Sequence, residues 1–599
     1  MNKTTLLIIL IFPFFSAFAT NSTSRSFTVR DLYKPLNLEE EQRLISVTII
    51  TKKDIRGCIG CDFTDILERA GVQVQRFNAQ FSQSSDTDTA YVALRGVSNT
   101  QTTLLVDGIR WVNSTVSRPP WESIPIHHIE KIEIVRGPSG LGSGNVGGSI
   151  NIITQKAVDC SPKTFCVDGV TQLSNKSNRG YTAYISTHFR SLDQKTGLRL
   201  GFQGDKSQDP ETTSGDYKEG TFSANLDHQI GRWLIEGSTF YHDGYNNSQP
   251  TPFVKDRNFH VASLGTTYYL SPEQLFRVSL GYDKNKQFLT GSSTEYLSQS
   301  LSVQLETVYR FDFWDGEYTL TSGVASKRER VDSAPRDEYE YKQRNTRTAF
   351  TELTGNHDLI IYRVTVRADD LSGNTKEQVF TWSGAASYHI AEIVEHNIFV
   401  RGGVNKGFRD PGFDEKYNLF GNPDLGIEEA VTHEIGLRIE QKGGSSYFLD
   451  ISVFETALKK PVIIPVREEL DEKAYIQGVE MQAGIAFRDW DGRVNYTNVD
   501  TDNTDQLRAH EVIKHLGSIR VDRAITPDWN MGTEMVFKKW MDSSFAEDSS
   551  VFDVFLIRNV NENLEIGYTI RNLTDERYDT GFNTEGPRRT VEAYIAVRF

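Results

Sequence analysis

Several short constellations in this 599-residue sequence combine residue types that could do chemistry. Gly142-Ser143-Gly144-Asn145-Val146-Gly147 satisfies G-x-G-x-x-G, the pattern that cradles a pyrophosphate when its glycines open a helix. Here the glycines lead into Ile150 to Ile153, which reads as a strand, so no helix N-terminus is available and no nucleotide site is expected. His510-Glu511-Val512-Ile513-Lys514-His515 has one residue more than H-E-x-x-H, and its histidines miss the one-turn spacing that zinc requires. His127-His128 reads as a turn feature, and neither G-x-S-x-G nor a P-loop is present. No nucleophile and base are recognisable together, so the chain is not expected to be an enzyme.

Carboxylates, cysteines and aromatics give the remaining candidates. Asp205, Asp209, Glu211 and Asp216 share one polar connection, and Asp500, Asp502 and Asp505 another. Either could hold calcium through carboxylate oxygens; neither fits the EF-hand template, and solvated loops are the plainer reading. No cofactor is required on this reading, with calcium near Asp205, Asp209 and Asp216 as the one optional ion. Cys58/Cys61 and Cys160/Cys166 are two close pairs that most simply form local disulfides in an oxidising compartment. Cys58-Ile59-Gly60-Cys61 could also be a redox motif or half a zinc site, but zinc lacks two further visible ligands and a redox motif expects a thioredoxin-like context. Trp111, Arg118 and Trp121 flank Pro119-Pro120. Aromatics exposed beside a cation suit a large planar ligand, and equally suit packing of a loop against a wall.

The elements that must position these residues follow from composition and periodicity. With 80 acidic and 65 basic side chains the net charge is -15, the wrong sign for nucleic-acid binding. Residues 1–19 read as a secretory signal: Lys3, an apolar run Leu6 to Phe15, then Ala17-Phe18-Ala19. Residues 20–45 read as a polar arm. A mixed α+β unit follows over 46–157, with a β-branched run at Ser46 to Thr51, helical spacing at Phe63, Ile66, Leu67 and Ala70, and short strands at 91–94, 103–106, 132–135 and 150–153. From 158 to 599 the texture is period-2: Phe276, Val278, Leu280 and Tyr282; Leu301, Val303, Leu305 and Tyr309; Tyr447, Leu449, Ile451 and Val453; Leu564, Ile566, Tyr568 and Ile570; Val591, Ala593, Ile595, Val597 and Phe599. One apolar and one wet face over that length, with 11% aromatics, predicts an antiparallel transmembrane β-barrel of about 16 to 22 strands. No segment has the roughly 18 consecutive apolar residues of a transmembrane helix.

Ordered motifs in the smaller unit resemble the plug of TonB-dependent outer-membrane receptors: Ser46 to Thr51, Leu94-Arg95-Gly96, Leu104 to Ile109, Ile129 to Pro138 and Gly147 to Thr154. In the larger unit Gly407 to Pro411, Gly421 to Leu425, Glu434-Ile435-Gly436, Gly478-Val479-Glu480, Asn572 to Asp575 and Gly586 to Arg589 are similar to that family's barrel. The resemblance implies an all-β membrane protein, a 22-stranded barrel with an N-terminal plug in its lumen, in the bacterial outer membrane. It further implies ion pairs between plug Arg95 and Arg136 and barrel Glu434 and Glu480. The family's usual extra residue before Gly142 is absent. Phe27-Thr28-Val29 is the nearest candidate for the box that binds the periplasmic TonB protein by strand addition. Within the family, Arg367 to Asp370 through Trp382 and Gly384 look closest to the cobalamin receptors, while ferric-siderophore receptors share almost every motif. The implied activity is active uptake of a scarce metal chelate by a monomer embedded in lipid and lipopolysaccharide. The alternative is a passive porin or structural barrel.

Overall fold

The computed structural model describes residues 42–598 except 77–89, 138–145, 209–215, 335–340, 503–511 and a number of shorter stretches in turns and connections. Residues 1–41, including the signal segment, most of the arm and the TonB-box candidate Phe27-Thr28-Val29, lie outside the described residues, as does the G-x-G-x-x-G segment up to Asn145.

The N-terminal unit is built on a five-stranded sheet. Its strands are β1 (Val47–Thr51), β4 (Thr102–Val106), β5 (Ile109–Arg110), β6 (Ile129–Arg136) and β7 (Gly148–Thr154); β2 (Gln73–Arg76) and β3 (Ala90–Ala93) form a separate hairpin. The sheet order is β1-β6-β7-β4-β5, with β4 and β7 parallel and the other pairs antiparallel. Alternation explains it: Ile132, Ile134, Ile150 and Ile152 point to one buried face, whereas Glu130 points to solvent. Helix α2 (Phe63–Arg69) follows the short α1 (Lys52–Arg56). It starts with a capping box in which Asp62 accepts from the Asp65 amide and Asp65 accepts from the Asp62 amide. Phe63, Ile66 and Leu67 then bury against the sheet.

Twenty-two antiparallel strands, from Phe165–Ser174 to Thr590–Arg598, close into a barrel around this unit. The last strand pairs with the first, Ile595 opposite Thr171, so no backbone edge is left open. No helix among the described residues is long and apolar enough to cross a membrane.

The period-2 residues face outward: Val278, Leu280, Leu301, Leu305, Val324, Val453 and Ile595 are all exposed, and Ile435 reaches 70%. A continuous band of this size cannot face water and marks the lipid surface. Charged side chains between them, Arg199, Asp227, Glu329, Arg344, Glu434 and Glu480, turn into the lumen and are buried there. Turns such as Gly231-Arg232 and Trp314-Asp315 close one end of the barrel; long connections such as 410–427 stand at the other. Aromatics mark both rims, with Trp233 against Tyr268 at the short-turn end and Tyr241, His260 and Tyr282 in contact towards the other.

Replacing Val303 by Arg should destabilise the barrel by about 2–4 kcal/mol, as expected for a cation in the lipid-facing band. The neighbouring lumen-facing Gln304→Arg should cost much less. Urea unfolding in liposomes, followed by tryptophan fluorescence, checks both.

Candidate functional site

Two Arg-Gly pairs place the central cations. Arg95 follows β3 with a left-handed backbone, φ 55°, and Gly96 continues at φ 74°. A Cβ on Gly96 would stand 2.6 Å from Val499 Cγ1 of the wall, so only glycine lets this turn approach the barrel. Arg136 ends β6 and is followed by Gly137 at φ 81°. The barrel strand Glu428–Gln441 contributes Glu434, and Ala474–Phe487 contributes Glu480.

The structure brings the four residues together. Arg95 Nη2 donates to Glu434 Oε2 at 2.5 Å and to Glu480 Oε2 at 2.7 Å, and its Nε donates to Glu480 at 3.1 Å. Arg136 Nε lies 2.9 Å from Glu480 Oε1, while its Nη2 donates to the Ala70 carbonyl at 3.0 Å. All four side chains are less than a tenth exposed. The set is not symmetric: Arg136 reaches only Glu480, and the second cation on Glu434 is Arg401 of the barrel itself, at 3.4 Å. The Arg95 guanidinium also stacks over Phe454 at 4.3 Å. Burial pulls the Arg95 pKa down, and Glu480 and Glu434 more than offset this, leaving it above the usual arginine value. Arg136 ends below its usual value because burial and neighbouring Arg95 outweigh Glu480. One carboxylate thus holds two arginines in a water-poor setting.

Further plug–wall ion pairs have no counterpart in the sequence motifs. On the polar face of α2, Arg69 binds Glu534 and, at 2.6 Å, Asp553; Glu68 pairs with Lys538; and Asp65 receives Arg571 at 2.9 Å as well as Arg76 at 2.6 Å. The i, i+3 spacing of Asp62, Asp65 and Glu68 is the signal that could have shown this face, although such a row usually faces solvent. At the first described residues Arg43 Nε donates to Glu440 at 2.8 Å, beside Arg438 and Asp450.

Trp111, Arg118 and Trp121 are packed inside, as in the loop-packing alternative of the two that the sequence left open. Trp111 is 0% and Trp121 1% exposed. Trp111 lies edge-on to Phe240 and Phe259 of the wall and donates to Asn285, whereas Trp121 stacks on Phe63 and donates to Asn99 at 2.7 Å. Arg118 lies over Tyr91 and donates to its hydroxyl at 3.0 Å. The physical reason is the wall itself: Phe240, Phe259 and Val261 join the plug's apolar core and draw the loop against them. From outside, the connection 410–427 packs on the same loop, Asp414 N–H donating to the Thr115 carbonyl at 2.8 Å.

Of the acidic cluster, Asp205 accepts from Gln203 at 2.8 Å, while Asp209 and the Asp216 side chain lie outside the described residues. Among the described residues no group of three or more His, Cys, Asp or Glu is placed to hold a metal ion. Cys58 bonds Cys61 and Cys160 bonds Cys166, with Cα separations of 5.5 and 5.7 Å. His510 and Glu511 also lie outside the described residues, and His515 sits on a barrel strand against Tyr496. His128 is buried in the plug, where burial and nearby Arg199 hold its pKa well below the usual imidazole value.

A 22-strand membrane barrel whose lumen is occupied by an N-terminal α+β unit, tied to the wall by buried ion pairs, defines the class of plugged outer-membrane receptors. The chain belongs to the TonB-dependent receptor family: residues 40–149 match the TonB-dependent receptor plug domain and 168–584 the TonB-dependent receptor-like β-barrel. It is an outer-membrane protein. Over 575 residues it is 23% identical to the vitamin B12 transporter BtuB of Photobacterium profundum, covering 89% of each chain. It is 23% identical to the iron-regulated outer membrane virulence protein of Vibrio cholerae over 70% of this chain and 66% of that one. Among solved structures it shares its fold with the siderophore receptor PirA of Acinetobacter baumannii (TM-score 0.78, 16% identity, 94% and 99% of the two chains). The same holds for the ferric enterobactin receptor PfeA of Pseudomonas aeruginosa (TM-score 0.77, 14% identity, 92% and 99%).

Glu480→Lys should leave Arg95 and Arg136 facing a third cation and loosen the plug, whereas Glu480→Gln should cost about 3–5 kcal/mol through the uncompensated charge. Limited proteolysis in detergent, read at plug cleavage sites with the barrel intact, checks the order lysine, glutamine, wild type.

Proposed function

We propose that this receptor takes up a scarce metal chelate, a corrinoid before a ferric siderophore, and is energised by the periplasmic TonB protein through the arm that precedes Gln42. The ligand binds at the end of the lumen with the long connections, and the plug is the gate. The observation that carries the corrinoid preference is charge. Several cations facing that end are already paired with carboxylates: Arg344 lies 2.7 Å from Glu329 and 3.3 Å from Asp410. Lys327 lies 3.0 Å from Glu329, and Arg409 lies 2.7 Å from Glu415 and also contacts Glu428. A ferric tris-catecholate carries three negative charges and calls for free cations; cyanocobalamin is neutral and calls for polar and apolar contacts. The vitamin B12 transporters that resemble this chain do so over about nine-tenths of its length, and the iron-regulated relative over a shorter span. The structural likeness to siderophore receptors concerns the fold.

Calcium is proposed as an ordering ion for the connection around Asp205, Asp209 and Asp216, where it would stiffen the outer ends of two neighbouring strands. Strand addition of Phe27-Thr28-Val29 to TonB is the corresponding proposal for the arm. Binding outside promotes TonB engagement inside only if the chelate makes different contacts in the two plug states.

Calorimetric titration of the detergent-purified protein with cyanocobalamin, with and without calcium, and with ferric catecholate and hydroxamate siderophores in parallel tests this reading. Nanomolar cobalamin binding strengthened by calcium is the expected result. Binding of a ferric chelate alone would overturn the corrinoid assignment, and an identical cobalamin affinity in chelator would remove the calcium role.

A further inference from the structure

The buried ion pairs between plug and wall lie on one side of the lumen. Glu434, Glu480, Glu534, Lys538, Asp553 and Arg571 all belong to strands between Glu428–Gln441 and Leu564–Arg571. Across the lumen, where strands from Gly180–Arg190 to Gln274–Leu289 face the plug, neutral hydrogen bonds hold it: His128 with Ser223, Asn225 Nδ2 to Thr154 at 2.6 Å, and Trp111 to Asn285 at 3.3 Å. Among the described residues the exception on that side is Lys156 with Glu236, at the exposed rim.

Arg199 stands on this neutral side without a carboxylate. Its strand, Thr196–Gln208, turns it into the lumen three residues from the short-turn end, about 10 Å deep. It is 0% exposed. Nη1 donates to Ser223 Oγ at 3.1 Å and Nη2 to the Tyr184 hydroxyl, while Nε has no partner. Among the described residues no carboxylate is in an ion pair with it. The neighbouring Asp227 and Asp168 are taken, by Arg190 at 2.7 Å and Arg598 at 2.8 Å. A guanidinium buried among hydroxyls alone is costly, and the opposite wall shows that this lumen supplies carboxylates to its arginines elsewhere.

The plug covers Arg199 with the turn Ile126–His128. His127 stacks on Tyr184 at 5.3 Å, and His128 lies edge-on to the same ring at 5.2 Å with its Nε2 unpartnered. Between this turn and the wall, a cavity of about 500 Å³ leads in from the short-turn end, lined by His127, Gln155, Gln172 and Tyr184 and bordered at its mouth by Asn561 and Asn563. Freeing the turn from the wall breaks neutral hydrogen bonds and ring contacts, whereas opening the opposite side would strip buried ion pairs.

We infer that Arg199, with the hydroxyls of Tyr184 and Ser223, is an inner subsite for the phosphodiester of a corrinoid's nucleotide loop, uncovered when the Ile126–His128 turn leaves the wall and met by the chelate on its way to the periplasm. The inference rests on the corrinoid reading. Cyanocobalamin is neutral overall but carries one phosphodiester anion, whose two free oxygens match the guanidinium fork.

Uptake of radiolabelled cyanocobalamin and of dicyanocobinamide, which lacks the nucleotide loop and its phosphate, tests the subsite in energised cells that carry the full chain as their corrinoid receptor. R199Q is expected to lower the maximal rate of cyanocobalamin uptake about tenfold, the loss of one charge-assisted contact, and to leave cobinamide uptake within about twofold. R199K, which keeps the cation, should recover most of the cyanocobalamin rate. Calorimetric affinity of the purified variants for cyanocobalamin should match wild type, because the closed plug hides Arg199 from the outer site; this and heat-resistant mobility on gels show that each variant is folded. An unchanged cyanocobalamin rate in R199Q, or an equal fall for both corrinoids, would overturn the subsite alone. A wild-type chain that binds no corrinoid would overturn the corrinoid reading and the subsite together.

Discussion

The structure depends on one constraint: a barrel of 22 strands encloses more space than its own side chains can fill, so the lumen must be closed by something else. The plug does this with a core that is almost entirely its own. Its isoleucines, leucines, valines and tryptophans bury one another, and the main cluster borrows only Phe240, Phe259 and Val261 from the wall. A smaller contact joins Val97 and Val146 to Ala430, Phe454, Ile476 and Val499. The remaining interface is polar, part neutral hydrogen bonds such as Trp111 to Asn285 and Asn495 to the Arg69 carbonyl, part ion pairs whose centre is Glu480 holding Arg95 and Arg136.

That division of labour has a physical consequence. Apolar contacts inside the plug hold it together as a unit, while buried ion pairs to the wall fix its position without adding much net stability, because desolvation offsets most of their Coulomb energy. Ion pairs of this kind are geometrically demanding and are weakened once water reaches them. A plug attached in this way is well placed when at rest and releasable when pulled. The same local charge balance recurs from Arg43–Glu440 near the start of the described chain to Arg409–Glu428 within the wall.

Much of this was legible in the residues. Period-2 alternation showed which faces of the long strands are apolar, because a strand has only two faces and the membrane demands a sharp contrast between them; Leu301, Val303 and Leu305 are exposed as that pattern implies. The α2 helix and the β6 and β7 strands were equally readable from spacing. The strand count was not: periodicity gave about 16 to 22, and closure depends on pairing between Thr590–Arg598 and Phe165–Ser174, more than 400 residues apart in the chain. The Arg95, Arg136, Glu434 and Glu480 set came from motif resemblance, since nothing local in Glu-Ile-Gly or Gly-Val-Glu says which arginine each carboxylate meets. Trp111 and Trp121 were ambiguous for the same reason; an aromatic in a Pro-rich loop looks alike whether it faces solvent or a wall that arrives from far along the sequence. The Asp65, Glu68 and Arg69 contacts left only the i, i+3 row of acids as a trace, and such a polar helix face ordinarily meets water.

The account stands or falls on the lumen being closed by a plug that buried charges retain. Single-channel recording in planar bilayers measures this directly, comparing the full chain, the Glu434→Gln/Glu480→Gln variant and a chain lacking residues 46–157. The account predicts no steady current through the full chain, intermittent openings in the double variant, and a large stable conductance without the plug. A steady conductance through the full chain, or a double variant as silent as the wild type, would contradict it.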